Sequence, residues 1–315
     1  MSNHYVNHMN SVAAAAFDRL LEGVKSVSYV DFPDHANVGD SAIAVGLLEY
    51  LRVRGIAVES VQTIGTHDPA RLKFGDAVLA HGGGNLGGLY PDVSAHRHEV
   101  FMQTPKDKLL IQAPQTAHFS SAADLESFVR NVRSKTDYRI GARDRATSQQ
   151  LHDHGIASVL APDSVHFLRQ IEAPPATQSF VVLARTDGEV GSDSSPFDET
   201  MDWLTEPCGD DLRRKVRNRA RYLPRGSVLL NKSADGWRRL AERRVRRGVD
   251  LIAVGETIIT DRLHAMLLGL QMGRSVVAVD NSYGKVHGYI DSWLDGSGAA
   301  IAKARSFAEA RAMFM

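Results

Sequence analysis

An arginine and a histidine stand two residues apart, Arg262 and His264, directly after a short apolar run. The run predicts a buried strand, and the segment AMLLGLQM that follows predicts an apolar helix. We expect Thr260 or Asp261 to cap this helix. The arginine and the histidine would then lie in its first turn, where unpaired N–H groups favour an anion. A guanidinium binds carboxylate or phosphate through two hydrogen bonds, and a neutral imidazole can take a proton from a hydroxyl.

A glycine-rich segment follows another predicted strand, Ala77–Ala80, and has the sequence His81-Gly82-Gly83-Gly84-Asn85-Leu86-Gly87-Gly88. Glycine lacks a Cβ atom and adopts positive φ, so successive N–H groups of such a loop can point at one anion. The spacing matches neither the dinucleotide fingerprint nor the Walker A loop, so it predicts an anion site without predicting a nucleotide. The alternative is a tight strand-to-helix turn that binds no ligand.

Polar groups follow several other predicted strands. Asn37 and Asp40 precede the predicted helix Ser41–Arg54, and Asp40 or Ser41 can cap it. The carboxyl ends of parallel strands meet at one edge of a sheet, so such groups can share a site. Helix capping or a surface salt bridge is the alternative explanation for each. Three more sets of polar residues follow predicted strands in the same way: Gly141-Ala142-Arg143-Asp144, Ala161-Pro162-Asp163 and Asp280-Asn281-Ser282-Tyr283-Gly284-Lys285.

Metal and nucleic-acid sites are not predicted. The two His-x-His pairs, His96/His98 and His152/His154, have no carboxylate or cysteine cluster beside them. Residues two apart on a helix point in different directions, which disfavours a shared metal ion. The aromatic residues are not interleaved with basic ones, as they are on nucleic-acid platforms.

The composition is that of a soluble globular protein. The chain has 315 residues, with 43% hydrophobic and 23% charged residues, which suits one large or two medium domains. The single cysteine, Cys208, cannot form an intramolecular disulfide and suggests a reducing compartment. We find no apolar run of membrane-spanning length and no signal peptide, so we expect a cytoplasmic protein.

The charge is balanced overall but not along the chain. There are 37 basic and 37 acidic residues, yet residues 211–250 hold 14 Lys or Arg against 4 Asp or Glu. Nine acids, from Asp187 to Asp211, lie in the stretch that leads into this segment. The basic residues at 213–247 form either a solvated helix face, partly neutralised by the acidic stretch, or a surface that contacts an anionic membrane.

The elements that must position these groups alternate between strands and helices. This alternation predicts an α/β fold with parallel sheets covered on both faces. The proline-rich segment Arg169–Ser179 predicts a boundary between an N-terminal domain, residues 1–172, and a C-terminal domain, residues 173–315, with a cleft between them. The last predicted helix, Ser306–Met315, can pack on either half. The predicted strands are Ser28–Phe32, Val58–Thr63, Ala77–Ala80, Lys108–Gln112, Tyr138–Ala142, Ser158–Ala161, Phe180–Ala184, Ser227–Asn231, Asp250–Val254 and Ser275–Asp280. The other predicted helices are Asp124–Arg133, Arg213–Arg221, Asp235–Arg247 and Arg262–Met272. The segment Asp187–Glu206 is predicted to be either an acidic loop or a poorly ordered insertion.

Taken together, these motifs resemble the polysaccharide pyruvyl transferase family. The resemblance rests on their order over residues 29–290: Asn37-Val38-Gly39-Asp40, the glycine-rich segment, Arg143-Asp144 with Ser148, Ala161-Pro162-Asp163, Asp261-Arg262-Leu263-His264-Ala265 and Asp280-Asn281-Ser282-Tyr283-Gly284-Lys285. One departure is visible: many members have an acidic residue after the last glycine of the loop, where this chain has Gly88. Residues 187–225 match no pattern of the family.

The resemblance implies a fold and a reaction. The fold would be two Rossmann-like domains of the glycosyltransferase-B type that face a cleft. The reaction would move the pyruvyl group of phosphoenolpyruvate onto two hydroxyls of a sugar in an exopolysaccharide repeat unit. The products would be a pyruvate ketal and phosphate, with phosphoenolpyruvate as co-substrate and no cofactor or metal. The acceptor would be a free or lipid-linked saccharide, and in the lipid-linked case the enzyme would work at the inner face of the plasma membrane.

The resemblance also suggests roles for the residues singled out above. We expect His264 to transfer protons and Arg262 to hold the phosphate or carboxylate of the donor. The expected donor-binding residues are Arg143, Lys285, Gly83, Gly84, Asn85 and Ser282; the expected acceptor-side or structural residues are Asn37, Asp40, His81 and Asp261.

Two other functions remain open from sequence. A nucleotide-sugar-dependent glycosyltransferase would use the same two-domain architecture and a glycine-rich loop equally well. However, no acidic residue is clearly placed to hold a ribose, and Arg262, His264 and Lys285 indicate a small dianion. A non-catalytic ligand-binding protein on the same fold is the second alternative.

Overall fold

The computed structural model describes residues 2–72, 75–187, 197, 199–220, 226, 230–282 and 284–314. Two parallel sheets form its centre, which confirms the predicted mixed α/β fold. The first has the strand order β2-β1-β3-β5-β6-β7, with β4 also paired to β5, and the second has the order β11-β10-β9-β8. The strands are β1 Ser26–Val30, β2 Ala57–Val61, β3 Ala77–Ala80, β4 Gly83–Leu86, β5 Leu109–Ala117, β6 Tyr138–Ala142, β7 Val159–Leu160, β8 Gln178–Leu183, β9 Gly255–Thr260, β10 Ser275–Val279 and β11 Ile301–Ala304.

Helices connect these strands and cover the sheets. All pairings between the named strands are parallel. Between two paired strands the chain must therefore run back to the edge of the sheet where the first strand began, through a crossover connection. The helices are α1 Ser2–Leu20, α2 Val38–Val53, α3 Pro91–Gln103, α4 Ala122–Arg133, α5 Arg145–Asp153, α6 Cys208–Ala220, α7 Ala234–Ile252, α8 Leu263–Gln271, α9 Lys285–Tyr289 and α10 Phe307–Ala312. None of the described helices is long and apolar enough to cross a bilayer.

One predicted strand is wrong and another cannot be compared. Asp250–Val254 is not a strand, because α7 continues to Ile252 and the strand β9 begins at Gly255. The buried residues of α7, which include Trp237, Leu240, Val249 and Ile252, recur at helical spacing, so the apolar run at 251–254 belongs to the end of this helix. The predicted strand Ser227–Asn231 lies mostly outside the described residues; of its members, Leu230 is helical.

The predicted domain boundary falls in a segment without helix or strand, residues 169–177. Three of the named helices, α1, α2 and α7, nevertheless contribute to the cores beside both sheets. In α1, Phe17 and Leu20 lie in the core beside the first sheet, and Tyr5 and Met9 lie in the core beside the second. The helix α7 divides its buried residues in the same way. The two halves are therefore joined by helices that pack on both, in addition to the connecting segment.

Helix α2 is held between both halves by two glycines. A Cβ atom on Gly46 would lie 2.0 Å from the carbonyl oxygen of Ser164, and one on Gly248 of α7 would lie 2.4 Å from Cγ1 of Val38. Such distances leave no room for a side chain, so the backbones approach closely at both points. This packing fixes the position of the N-terminus of α2, which enters the site described below.

The basic segment 213–247 is largely neutralised within the fold. Asp34 accepts hydrogen bonds from Arg217, at 2.7 Å, and from Arg244, at 3.1 Å. Glu206, from the preceding acidic stretch, pairs with Arg214 and Arg244. Further pairs join Arg238 to Glu49 and Glu242, Lys215 to Asp211, and Arg213 to Asp210. These contacts favour the first of the two interpretations, in which the acidic stretch neutralises the cations.

Three buried histidines give the fold a dependence on pH. Burial lowers the pKa of His81, His96 and His166 from 6.5 to about 4. His166 lies between the two halves, where its Nε2 is 2.8 Å from the hydroxyl of Tyr289 and Asn10 of α1 donates to its carbonyl. The folded protein therefore holds these imidazoles neutral at pH values where the unfolded chain protonates them.

Replacing His166 with glutamine should make stability less sensitive to acid. Between pH 6.5 and 4 the unfolded chain binds the imidazole proton more tightly than the folded one, so the free energy of unfolding falls as the pH is lowered. The variant should lose this dependence by about one proton per molecule. Urea unfolding at a series of pH values measures the slope, and identical slopes for the two proteins would contradict the prediction.

Candidate active site

A cleft of about 350 Å³ is lined by residues that follow strands of both sheets. Seven of the residues singled out from sequence line it: Asn37, Asp40, Gly84, Asn85, Arg262, His264 and Lys285. The other eight lining residues carried no predicted role: His35, Tyr90, Val93, Arg185, Asp187, Trp203, Leu204 and Leu263. The structure thus brings most of the predicted residues to one place, as the parallel arrangement of strands requires.

A buried carboxylate connects the histidine of the cleft to an arginine beneath it. Oδ2 of Asp163 lies 3.1 Å from Nε2 of His264 and 2.9 Å from Nη1 of Arg143. Arg143 is fully buried, and its Nε donates to the hydroxyl of Thr116 at 3.1 Å. The remaining nitrogen of this guanidinium, Nη2, is buried without a hydrogen-bond partner among the described residues. Nη2 of Arg143, a buried cation next to the cleft, therefore has no hydrogen-bond acceptor among the described residues.

Arg143 and His264 keep Asp163 ionised. Burial by itself raises the pKa of this carboxyl, but His264 and Arg143 and the hydrogen bonds outweigh it, so the pKa lies well below its usual range. A buried carboxylate in this form orients the imidazole of His264. Since Nε2 of His264 is engaged by Asp163, a ligand would have to approach Nδ1, which packs against Gly39.

Gly84 lies against the cations of the site. A Cβ atom on this residue would lie 2.8 Å from Nη2 of Arg143 and 3.2 Å from Nζ of Lys285. Both nitrogens thus lie close to Gly84, where the absence of a side chain leaves room for them. The glycine is required here because any larger residue would occupy the space between these donors and the cleft.

Residues 83–86 of the glycine-rich segment form a strand, where the sequence predicted a loop or turn. Residues 83–86 form β4, paired in parallel with β5. The N–H of Asn85 donates to Oε1 of Gln115 at 3.1 Å, and Nε2 of Gln115 donates to the carbonyl of His81 at 2.8 Å. This glutamine of β5 therefore fixes the segment from behind, and the N–H of Asn85 is not directed at a ligand.

His81 lies behind the cleft wall. Its Nδ1 is 2.5 Å from the hydroxyl of Tyr29, and its side chain is buried. Of the two roles predicted for this residue, acceptor-side or structural, the position favours the structural one. Gly83 also lies outside the lining; its φ of +126° is a conformation that glycine adopts readily.

The N-terminus of α2 brings Asn37 and Asp40 into the cleft. The predicted cap was Asp40 or Ser41, but the cap is Asn37, whose Oδ1 accepts from the N–H of Gly39 at 3.0 Å. Asp40 lies in the first turn, and its Oδ2 accepts from Nδ2 of Asn37 at 2.9 Å. The carboxylate is thus turned to the cleft and not to the helix end.

Asp40 is ionised by its surroundings. Burial raises the pKa of its carboxyl, but nearby basic groups, led by His35 and including His264 and Lys285, lower it further than burial raises it. A Cβ atom on Gly39 would lie 2.4 Å from Nδ1 of His264, so the imidazole packs directly on this turn of α2. The first turn of α2 therefore supplies one carboxylate of the cleft, Asp40, and packs against the imidazole of His264.

The start of α8 also differs from the prediction. The cap is Arg262 itself, because the hydroxyl of Thr260 accepts from its N–H at 3.0 Å and Oδ1 of Asp261 accepts from the N–H of Arg185 at 2.9 Å. Only His264 of the predicted pair lies in the first turn. Burial raises the pKa of Asp261 to about 6, and this residue is not part of the cleft lining.

Arg262 is surrounded by carboxylates. Its Nη2 lies 2.6 Å from Oδ2 of Asp202 and 3.1 Å from Oδ2 of Asp187. Asp187 also accepts two hydrogen bonds from Arg185, at 2.8 and 3.0 Å. The four side chains form a neutral network along one wall of the cleft. Arg262 is thus bound to acidic residues that lie in or beside the predicted acidic loop.

The remaining predicted residues have weaker links to the cleft. Ser282 is exposed and does not belong to the lining, and its neighbour Tyr283 lies outside the described residues. Ser148 is 3.2 Å from the hydroxyl of Ser158, away from the cleft. No cluster of three or more potential metal ligands occurs among the residues that the structure describes.

Replacing Gly84 with alanine should disable the site without unfolding the protein. The new methyl group would lie 2.8 Å from Nη2 of Arg143, so one of the two cations must move. We expect at least a tenfold loss of affinity for an anionic ligand of the cleft, measured by calorimetry, with an unchanged circular dichroism spectrum.

The matched control is Gly288→Ala, in α9, where a Cβ atom has no neighbour within 4 Å. This variant should bind as the unsubstituted protein does. Equal affinities for the Gly84 variant and the control would contradict the proposed crowding at Gly84.

Comparisons with known proteins agree on one family. The family model for polysaccharide pyruvyl transferases matches residues 37–283. The chain is 30% identical over 292 residues to Pyruvyl transferase 1 of Schizosaccharomyces pombe, covering 87% of this chain and 71% of that protein. It is 25% identical over 288 residues to EpsO of Bacillus subtilis, also named for pyruvyl transfer, covering 86% of each.

A solved structure shows the same fold. An uncharacterized protein of Klebsiella pneumoniae superposes with a TM-score of 0.66 over 93% of this chain and 99% of its own, at 18% identity. The matched family range runs from the cap of α2 to the turn before Lys285, and so includes His264, Arg143 and the glycine-rich strand. The chain belongs to the polysaccharide pyruvyl transferase family.

Proposed function

We propose that this protein transfers the pyruvyl group of phosphoenolpyruvate to two hydroxyls of a saccharide, forming a cyclic ketal and releasing phosphate. The observation that carries the proposal is the meeting of two cations at Gly84. Nη2 of Arg143 and Nζ of Lys285 both approach this glycine, and His264 is bound to the same carboxylate as Arg143. A small dianion suits such an arrangement better than a neutral ligand does.

The donor end of the cleft is defined by these cations. Phosphoenolpyruvate carries a carboxylate and a phosphate, and each needs several hydrogen-bond donors. Lys285 lines the cleft, and Arg143 lies directly beneath Gly84. Arg262 can hold the donor only if the donor's anion replaces a carboxylate of Asp187 or Asp202, since both now contact its guanidinium.

The acceptor end is defined by groups that bind hydroxyls. Asn37, Asp40 and Asn85 also line the cleft and present amide and carboxylate groups. Carboxylates and amides are suitable partners for the hydroxyls of a sugar. The proposed acceptor is therefore a saccharide unit of an exopolysaccharide, either free or linked to a lipid.

His264 is the proposed proton-transfer group of the reaction. Forming the ketal requires a proton at C3 of the donor while hydroxyl oxygens attack C2. The carboxylate of Asp163 orients the imidazole through Nε2, and Nδ1 is the nitrogen proposed to exchange the proton. No metal or cofactor takes part in this proposal.

Replacing His264 with alanine should abolish acceptor-dependent release of phosphate. Loss of a general acid–base group lowers kcat by about 10²- to 10⁴-fold. Donor affinity should change little, because Lys285 and Arg143 remain. A coupled phosphate assay measures turnover, and calorimetry with phosphoenolpyruvate measures binding.

The control is His152→Ala, an exposed histidine on α5. It should turn over at the normal rate. Near-normal turnover in the His264 variant would refute the role assigned to this residue.

The donor can be distinguished from a nucleotide sugar by thermal shift. A ligand that binds only the folded state raises the unfolding temperature by an amount that grows with the logarithm of its concentration relative to Kd. We expect phosphoenolpyruvate to stabilise the protein and a panel of nucleotide sugars to leave it unchanged at equal concentration. Stabilisation by a nucleotide sugar alone would favour a glycosyltransferase instead.

A further inference from the structure

The proposed reaction needs two proton-transfer groups in the same step. When a hydroxyl adds to the enol double bond, C3 gains a proton while the attacking oxygen loses one. One imidazole cannot donate and accept in a single step, so a second group must face the same substrate. His264 fills only one of these roles. The second group must lie in the same cleft, within reach of the acceptor.

We propose that His35 is this second catalytic residue, the base that takes the proton of the attacking hydroxyl. The inference rests on the proposed function and adds a residue to it. His35 lines the cleft, and its Nε2 lies 3.5 Å from Oδ2 of Asp40. Oδ2 of Asp40 also accepts from Asn37 at 2.9 Å, which fixes the carboxylate. A fixed carboxylate beside an imidazole is the arrangement that orients a catalytic histidine.

The cleft therefore contains two histidine–aspartate pairs, and one helix turn links them. His264 packs on Gly39, and His35 approaches Asp40, the next residue of α2. The side chain of His264 is 12% exposed, and that of His35 is 48% exposed. His264 thus belongs to the enclosed donor end, and His35 to the open end through which an acceptor enters.

Charged groups on every side of the cleft surround the two histidines. Asp40 is the carboxylate nearest to His35 among the described ion pairs, and the wall opposite α2 carries the neutral network around Arg262. The other charged or titratable residues that line the cleft are Tyr90, Arg185, Asp187, Arg262, His264 and Lys285. His35 itself lies two residues before the matched family range, which begins at residue 37.

The proton balance closes with these two histidines. In the first step, His264 gives its proton to C3, the hydroxyl oxygen bonds to C2, and His35 takes the hydroxyl proton. In the second step, the other hydroxyl oxygen bonds to C2 as the C2–O bond to phosphate breaks. His264 takes the proton of this second hydroxyl, and His35 returns its proton to the departing phosphate. Both imidazoles regain their starting states, and no other reactant is needed.

The test is the variant His35→Gln, compared with His152→Gln as an exposed control. We expect kcat for acceptor-dependent phosphate release to fall by about 100-fold or more, with the KM for phosphoenolpyruvate within threefold. Added imidazole should restore part of the rate, and the decline of kcat/KM at low pH that reports a base should disappear. A merely structural residue would not produce the rescue or the altered pH profile.

Other outcomes would contradict either the role of His35 as the base or the proposed function itself. If the unsubstituted protein is active and His35→Gln retains kcat within threefold, the inference is wrong and the proposed function stands. A low rate without imidazole rescue and with an unchanged pH profile likewise excludes His35 as the base. If Asp40→Asn is inactive while His35→Gln is active, the carboxylate is the base. If the unsubstituted protein releases no phosphate with any saccharide, the proposed function fails, and the inference fails with it.

Discussion

The contact on which the site depends is the carboxylate of Asp163, shared between Arg143 and His264. Both partners are held by this one buried oxygen, at 2.9 and 3.1 Å. Removing one member of a buried ion pair leaves the other uncompensated and costs about 3–5 kcal/mol. The position of the histidine is therefore tied to that of the arginine, and the arginine in turn lies beneath Gly84. The two halves meet at this point, because Asp163 follows the first sheet and His264 follows a strand of the second.

The sequence alone located most of the cleft, and the reason is topological. Asn37, Gly84, His264 and Lys285 all follow predicted strands, and parallel strands deliver their carboxyl ends to one edge. What could not be predicted is the pairing of charges over long separations. Arg262 looked like an open anion site, yet Asp187 and Asp202 contact it across the cleft wall. No local pattern indicates which acids a buried arginine will meet.

The errors in secondary structure have similar causes. The run at Asp250–Val254 is apolar and β-branched, but the helix α7 extends through it because its buried face continues to Ile252. The glycine-rich segment became a strand because Gln115 of β5 holds its backbone. The cap of α2 is Asn37 and not Asp40, which frees a carboxylate for the cleft. His35 had no signal at all in the sequence, since it lies in a loop with no periodic pattern.

Ion pairs within the fold explain part of the balance between acidic and basic residues. Much of the excess of arginine at 213–247 is paired with acids inside the fold, such as Asp34 and Glu206. The cations assigned to the donor, Arg143 and Lys285, lie elsewhere and meet at Gly84.

We propose that these two cations and His264 together convert phosphoenolpyruvate into a ketal. Nuclear magnetic resonance with phosphoenolpyruvate labelled with carbon-13 at C2 tests this most directly. The account predicts that the enol carbon becomes a saturated ketal carbon only when a saccharide acceptor is present, with one phosphate released for each ketal. An unchanged enol signal with every acceptor, or conversion to free pyruvate regardless of acceptor, would contradict it.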